Sequence, residues 1–148
     1  MTGAGGRAEG CFLGFDFGTR RIGIAVGTRL LRDARSLTTL SSKGQPDWAA
    51  IGKLIAEWRP EALVVGRPLT MEGGAQAATR AADEFIAQLQ ARYGLPVHAA
   101  EERMSSVEAQ SQLRERRASG ERRRRLRDED VDAAAAKLIL EHWLDEIA

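Results

Sequence analysis

The sequence predicts an α/β fold: a mixed five-stranded sheet, an antiparallel meander followed by parallel strands, flanked by helices. Three observations predict it. Residues 11–18 and 21–28 read as strands around the short turn GTRR, which makes a hairpin. The short apolar runs EALVVG (61–66) and LPVHAA (95–100) have the continuous hydrophobicity of buried parallel strands. Segments with apolar residues at helical spacing alternate with those runs. A meander that passes into helix–strand units builds a mixed sheet with helices packed against it.

The elements follow in order. Residues 1–10, MTGAGGRAEG, lack the apolar core of a signal peptide and are expected to form a flexible N-terminal tail. A single domain is expected over 11–148. After the hairpin, a third strand is expected within 30–40. A helix starts behind Pro46, presents Trp48, Ile51, Ile55 and Trp58 to one side, and is closed by Pro60. The strand 61–66 leads into the loop RPLTMEGG. A long helix with Ala82, Phe85, Ile86 and Leu89 inward ends at Gly94. The strand 95–100 is followed by a helix over roughly 104–117, an arginine-rich loop, and a last helix from near Asp128 almost to the end.

Bulk properties bound the function. The chain has 148 residues, 43% hydrophobic and 29% charged, which suits one domain with a proper core. Its one cysteine, Cys11, excludes an internal disulfide and a cysteine-based metal site. No apolar run approaches the roughly 18–20 residues that span a bilayer, so no membrane partner and a cytoplasmic location are expected. The net charge of +1 hides a local asymmetry: residues 114–127, RERRASGERRRRLR, hold eight arginines against two glutamates. Such a cluster points to a phosphate-rich partner, nucleic acid. The alternative is a solvated charge run in an arginine-rich protein.

Three acids carry the candidate chemistry. In the first strand Phe12, Gly14, Asp16 and Gly18 share one face by the period of two. Asp16 is thus a carboxylate among small residues, and glycines there leave room for a ligand or another backbone. A buried carboxylate needs a cation, a donor or water. Arg20 or Arg21 could serve as well as a ligand, and this stretch alone does not choose. Glu101 and Glu102 follow a short strand, where ligands gather in open α/β sheets. They point to opposite faces, so only one can share the side of Asp16. In the last helix, residues 132, 135, 136, 139 and 143 form an inward stripe that Asp132 begins. Asp128 lies one turn earlier on roughly the same face. A strand Asp, a strand-end Glu and a helix Asp that converge would bind hard divalent cations through oxygen.

Taken together, FDFGTRRIGIAVG, VVGRPLTMEGG, EERMSS and DVDAAAAKLIL, in this order, resemble the YqgF family over roughly residues 12–142. That family is described as Holliday-junction-resolvase-like and as candidate pre-16S rRNA nucleases. The resemblance implies an RNase H-like fold and a metal-dependent nuclease acting in ribosome biogenesis. It implies Asp16, Glu102 and Asp132 as catalytic and metal-binding acids, with Asp128 a further candidate ligand. The cofactor it implies is Mg2+ or Mn2+ in a two-metal site. Thr19, Arg20, Arg103 and Arg122, Arg123, Arg124 and Arg125 are the candidate substrate-binding residues. The implied partners are pre-rRNA, with ribosomal particles, or branched DNA, the chain acting as monomer or homodimer.

The sequence departs from the family pattern at Arg67, which replaces an apolar residue. It departs again in EER where DER is usual and in TMEG where NMDG is usual. The segment RDED before Asp132 is also unusually acidic. Two rival functions stand beside this one. DFGT also matches the phosphate loop of actin-type kinases, but that fold needs two such domains and 148 residues provide one. A non-catalytic RNA-binding protein retaining the fold is the other.

His98 shares strand parity with Glu102 but is expected to be structural, and His142 a surface residue. Trp48, Trp58 and Trp143 are expected to pack in the core rather than stack on bases.

Overall fold

The structure is a computed structural model and describes residues 8–104 and 131–147, with side chains over 10–102 and 131–147. Strands β1 (Ala8–Phe17), β2 (Arg21–Thr28) and β3 (Asp33–Ser41) are followed by helix α1 (Trp48–Trp58), β4 (Pro60–Thr70), α2 (Ala77–Tyr93) and β5 (Val97–Met104). Residues 131–147 form a further helix, α3. The sheet has five strands in the order β3-β2-β1-β4-β5. β1 and β3 pair antiparallel to β2, while β4 lies parallel to both β1 and β5. The expected mixed sheet is therefore present. The expected helix over 104–117 meets the described residues only at Met104, the end of β5; the rest, with the arginine-rich segment and Asp128, lies outside them.

Alternation along the strands divides the core between two faces. Leu13, Phe15, Ile22, Ile24, Leu63 and Val65 face α1 and α2, where they meet Ile51, Phe85 and Leu89. Phe85 contacts Phe15 edge-on and stacks on Phe17 and Trp48. On the opposite face Phe12, Ala25, Val64 and Ala100 pack under Ala136, Ile139, Leu140, Trp143 and Leu144 of α3. Trp143 meets Phe12 edge-on and His98 face-on, and Trp48 and Trp58 are partly buried against the first face. All three tryptophans thus serve packing, while His98, expected to be partly buried, is exposed with its ring over Trp143.

Three boundaries differ from the sequence reading, each for a physical reason. β1 starts at Ala8, so residues 8–10 join the sheet instead of a tail; residues 1–7 lie outside the described set. The Gly10 amide donates to Glu61 Oε1 at 2.6 Å, and its carbonyl accepts from the Arg29 amide at 2.8 Å. β4 runs to Thr70, through Arg67 and Pro68, where a loop was expected. Its register with β1 ends at Phe15↔Val65, so Pro68 lies where that edge is no longer laddered and its missing N–H costs nothing. β5 runs to Met104, so Glu101 and Glu102 lie within the strand, opposite Arg67 and Pro68, rather than after it. α1 covers Trp48–Trp58, the stretch expected behind Pro46, and Asp47 caps it: Asp47 Oδ1 accepts from the Ala50 amide at 3.2 Å.

Candidate nucleic-acid active site

The hairpin GTRR aims the first acid. The Gly18 amide donates to the Arg21 carbonyl at 3.0 Å and closes the turn. Ser42, which sequence reasoning missed, is buried and pins the turn from just past the end of β3. Its amide donates to the Arg20 carbonyl and its hydroxyl to the Gly18 carbonyl. Asp16 stands just before this turn, opposite Gly23 of β2, on the α3 face. The exposed Thr19 and Arg20 form the tip. Thr19 lines a cleft of about 290 Å³ with Phe17, Gln45 and Glu84, toward α2 and away from the acid face.

The glycines on the Asp16 face admit a helix. A Cβ on Gly23 would lie 1.9 Å from the Asp132 carbonyl oxygen and 2.9 Å from the Ala133 amide nitrogen. A Cβ on Gly14 would lie 2.9 Å from Leu140 Cβ. Of the two occupants expected from the sequence, a ligand or another backbone, these two glycines accommodate the backbone and side chains of α3. Sequence reasoning missed Gly23. A glycine inside a strand, paired across the hairpin with Asp16, was the signal available for it.

Asp132 is consequently wedged against the sheet beside Asp16 and is 6% exposed. Its Oδ2 accepts from Arg21 Nε at 2.7 Å. Arg21, expected beside Arg20 as an alternative partner of Asp16, binds Asp132; this ion pair spans 111 residues of chain. The inward stripe of α3 holds Asp132, Ala136, Ile139 and Trp143 as expected, joined by Ala133, Leu140 and Leu144.

Strand parity separates Glu101 from Glu102. Glu101 turns to the α2 face, where Arg67 Nη1 donates to its Oε2 at 3.2 Å. Arg67 also grips Asp83 of α2 through Nε at 2.7 Å and Nη2 at 3.1 Å. The hydrogen bond from Arg67 holds the Asp83 carboxyl below its usual range and raises the guanidinium in turn. Arg67, the departure from the family pattern, therefore ties β4, β5 and α2 together. Glu102 turns to the α3 face. Its Oε2 lies 3.6 Å from His142 Nδ1, in a cleft of about 240 Å³ with Glu101, Trp143, Asp145 and Glu146.

Asp16, Glu102 and Asp132 thus share one face of the sheet. They do not share one point. β4 separates β1 from β5, and Glu102 lies two residues beyond Ala100, the residue level with Gly66. With strands about 4.8 Å apart and a rise of about 3.3 Å per residue, the Cα atoms of Asp16 and Glu102 are about 12 Å apart. Among the described residues no three His, Cys, Asp or Glu side chains form a group that could hold a metal ion. The all-carboxylate donor set suits hard divalent cations, but one ion touching all three acids requires the side chains to converge. Arg103 lies in β5 opposite Leu69. Arg122–Arg125 lie outside the described residues.

Comparison with known proteins agrees with this architecture. A protein of Pseudomonas putida named "Putative pre-16S rRNA nuclease" is 47% identical over 134 residues, covering 90% of this chain and 93% of that protein. A protein of Burkholderia ambifaria with the same name is 45% identical over 149 residues, covering 100% and 97%. The fowlpox virus Holliday junction resolvase superposes over 92% of this chain and 99% of its own, with a TM-score of 0.51 at 11% identity, and so shares the fold. A family model described as "RuvX: Holliday junction resolvase" matches residues 10–146. The chain belongs to this RuvX family, the YqgF family that its motifs resemble, and has an RNase H-like fold.

Proposed function

We propose that the protein is a divalent-metal-dependent nuclease that processes the 5′ end of pre-16S rRNA in the cytoplasm. The observation that carries this reading is the shared face of Asp16, Glu102 and Asp132, three acids from separate segments of a chain whose relatives are named for pre-16S rRNA. Asp16, Glu102 and Asp132 would hold Mg2+ or Mn2+ with their side chains converged, and Asp128 is a further candidate. When bound, such ions would supply Lewis-acid activation of water and neutralise charge at the phosphate. Arg20, at the tip of the turn, orients the phosphate. Arg122–Arg125 track the backbone, which makes binding salt-sensitive.

A second reading keeps the nuclease and changes the substrate to a four-way DNA junction. The family description and the shared fold with a viral junction resolvase favour it, and junction cutting suits a homodimer. Cleavage of a precursor 16S 5′ fragment and of a four-way junction, each with Mn2+ or with EDTA, separates the two. The primary reading expects ion-dependent cleavage of the RNA. Cleavage of the junction alone overturns it, and EDTA-insensitive cleavage overturns the metal requirement.

A further inference from the structure

We propose that the cleft beside the GTRR turn, on the α2 face of the sheet, takes one unpaired nucleobase of the substrate strand and favours guanine. The inference rests on the reading of the protein as an RNA nuclease and adds a base-specificity site to it.

The cleft has two fixed walls. Ala81, Glu84, Phe85 and Gln88 stand at spacings of three and four along α2 and so share one face of that helix. The segment from Ser42 to Pro46 forms the other wall. Ser42 ties this wall to the turn through the Arg20 and Gly18 carbonyls, and the Asp47 amide donates to the Ser41 carbonyl at 3.2 Å. The volume of about 290 Å³ lies at the small end of the roughly 300–1,000 Å³ of ligand clefts, which suits a single planar ring system.

The lining selects a base over a phosphate. Phe17 is partly buried, stacks on Phe85 with centroids 4.7 Å apart, and lines the cleft, so a flat ligand meets an aromatic surface. Exposed Thr19, Gln45, Glu84 and Gln88 supply polar groups around it. Among the described residues that line the cleft there is no lysine or arginine, and the charged group is the Glu84 carboxylate. A phosphate would be repelled there, whereas an edge rich in N–H donors would be held. Guanine presents N1–H and N2–H side by side to the two carboxylate oxygens; uracil offers one N–H.

The position suits a base near the cleavage point. Asp16 and Phe17 are neighbours in β1, and alternation sends them to opposite faces of the same strand end. The exposed tip, Thr19 and Arg20, lies between the two faces. A strand whose phosphate meets Arg20 can turn one base into the cleft while its backbone continues along the acid face. A base held in a duplex cannot make that turn without leaving its stack.

Fluorescence anisotropy in EDTA tests the site, with an all-uridine RNA strand and the same strand carrying one central guanosine. Wild type should bind the guanosine strand roughly fivefold more tightly, the lower end of one base contact. Glu84→Gln, at an exposed helix position, should lose that preference and bind the all-uridine strand no more weakly than wild type. Charge alone predicts otherwise: removing a carboxylate would tighten both strands alike and keep their ratio, and a ratio kept in Glu84→Gln overturns the proposal. Equal binding of the two strands by wild type overturns the cleft and leaves the RNA reading intact. Binding of neither strand overturns the RNA reading as well. A second measurement needs no variant: the side-chain amide NMR signals of Gln45 and Gln88 should shift with guanosine monophosphate and not with ribose 5-phosphate. Equal shifts with both, or none with either, overturn the proposal.

Discussion

Replacing Gly23 by alanine probes the contact on which the geometry of the site depends. The added Cβ would lie 1.9 Å from the Asp132 carbonyl oxygen and 2.9 Å from the Ala133 amide nitrogen, both backbone atoms. Neither can turn aside as a side chain would. Ordinary contact between heavy atoms begins above about 3 Å, so α3 must move away from β2 by more than about 1 Å. That shift loosens Leu140 and Trp143 from the sheet and carries Asp132 away from Asp16. Overpacking of this kind costs about 1–3 kcal/mol, and a backbone clash falls at the upper end. For a chain of this size about 3 kcal/mol lowers Tm by roughly 6–12 °C. A misplacement of about 1 Å at a reacting centre also lowers cleavage by roughly 10²-fold. Thermal unfolding followed by circular dichroism reads the first effect, and a cleavage assay well below Tm reads the second. Gly52→Ala is the control: it lies inside α1, its Cβ would sit 3.4 Å from the Tyr93 hydroxyl, and helix propensity favours alanine. Gly52→Ala should match wild type or exceed it. A Gly23→Ala protein that melts within about 1 °C of wild type would refute the close approach of α3 to β2.

Three further outcomes are expected. Phe85→Ala removes the ring that meets Phe15, Phe17 and Trp48 and should cost about 3–5 kcal/mol, read by urea unfolding. The carboxyl of Asp83 is held below its usual range by its hydrogen bond from Arg67. Its contribution to stability is therefore present above the unfolded pKa of about 3.9 and is lost as pH falls through the lower folded value. Asp83→Asn should lower Tm slightly at pH 7 and flatten the acid loss below about pH 4; parallel curves would contradict the ion pair. Replacing Arg122–Arg125 by alanine should weaken RNA binding and reduce the slope of log K against log salt by about 0.7 for each phosphate no longer neutralised, read by filter binding across a salt series.

The sheet was legible because its signals are local. The hairpin, the buried runs and the helical stripes each occupy a few residues, and alternation alone predicts which side chains share the face of Asp16. β4 and β5 were read short because Arg67, Pro68, Glu101 and Glu102 look like strand ends. Their backbone is paired nonetheless, and Arg67 stabilises that extension through Glu101 and Asp83. Parity separates Glu101 from Glu102 in principle, but only the packing of α3 shows which face matters. The Arg21–Asp132 pair joins positions 111 residues apart, and no spacing rule reaches that far. The lodging of α3 against Gly23 was hidden for the same reason, although the glycine itself stood in plain view in RIGIAVG.

The proposed chemistry turns on Asp16. Cleavage of a precursor 16S 5′ fragment by wild type and by Asp16→Asn, with Mg2+ or Mn2+ and with folding of both proteins verified, tests it most directly. Removing the charge of this acid should lower the rate by at least roughly 10²-fold, the scale of a group that acts at the reacting centre, while leaving Tm close to that of wild type. Equal cleavage by the two proteins would contradict the assignment of this face as a metal-dependent nuclease site.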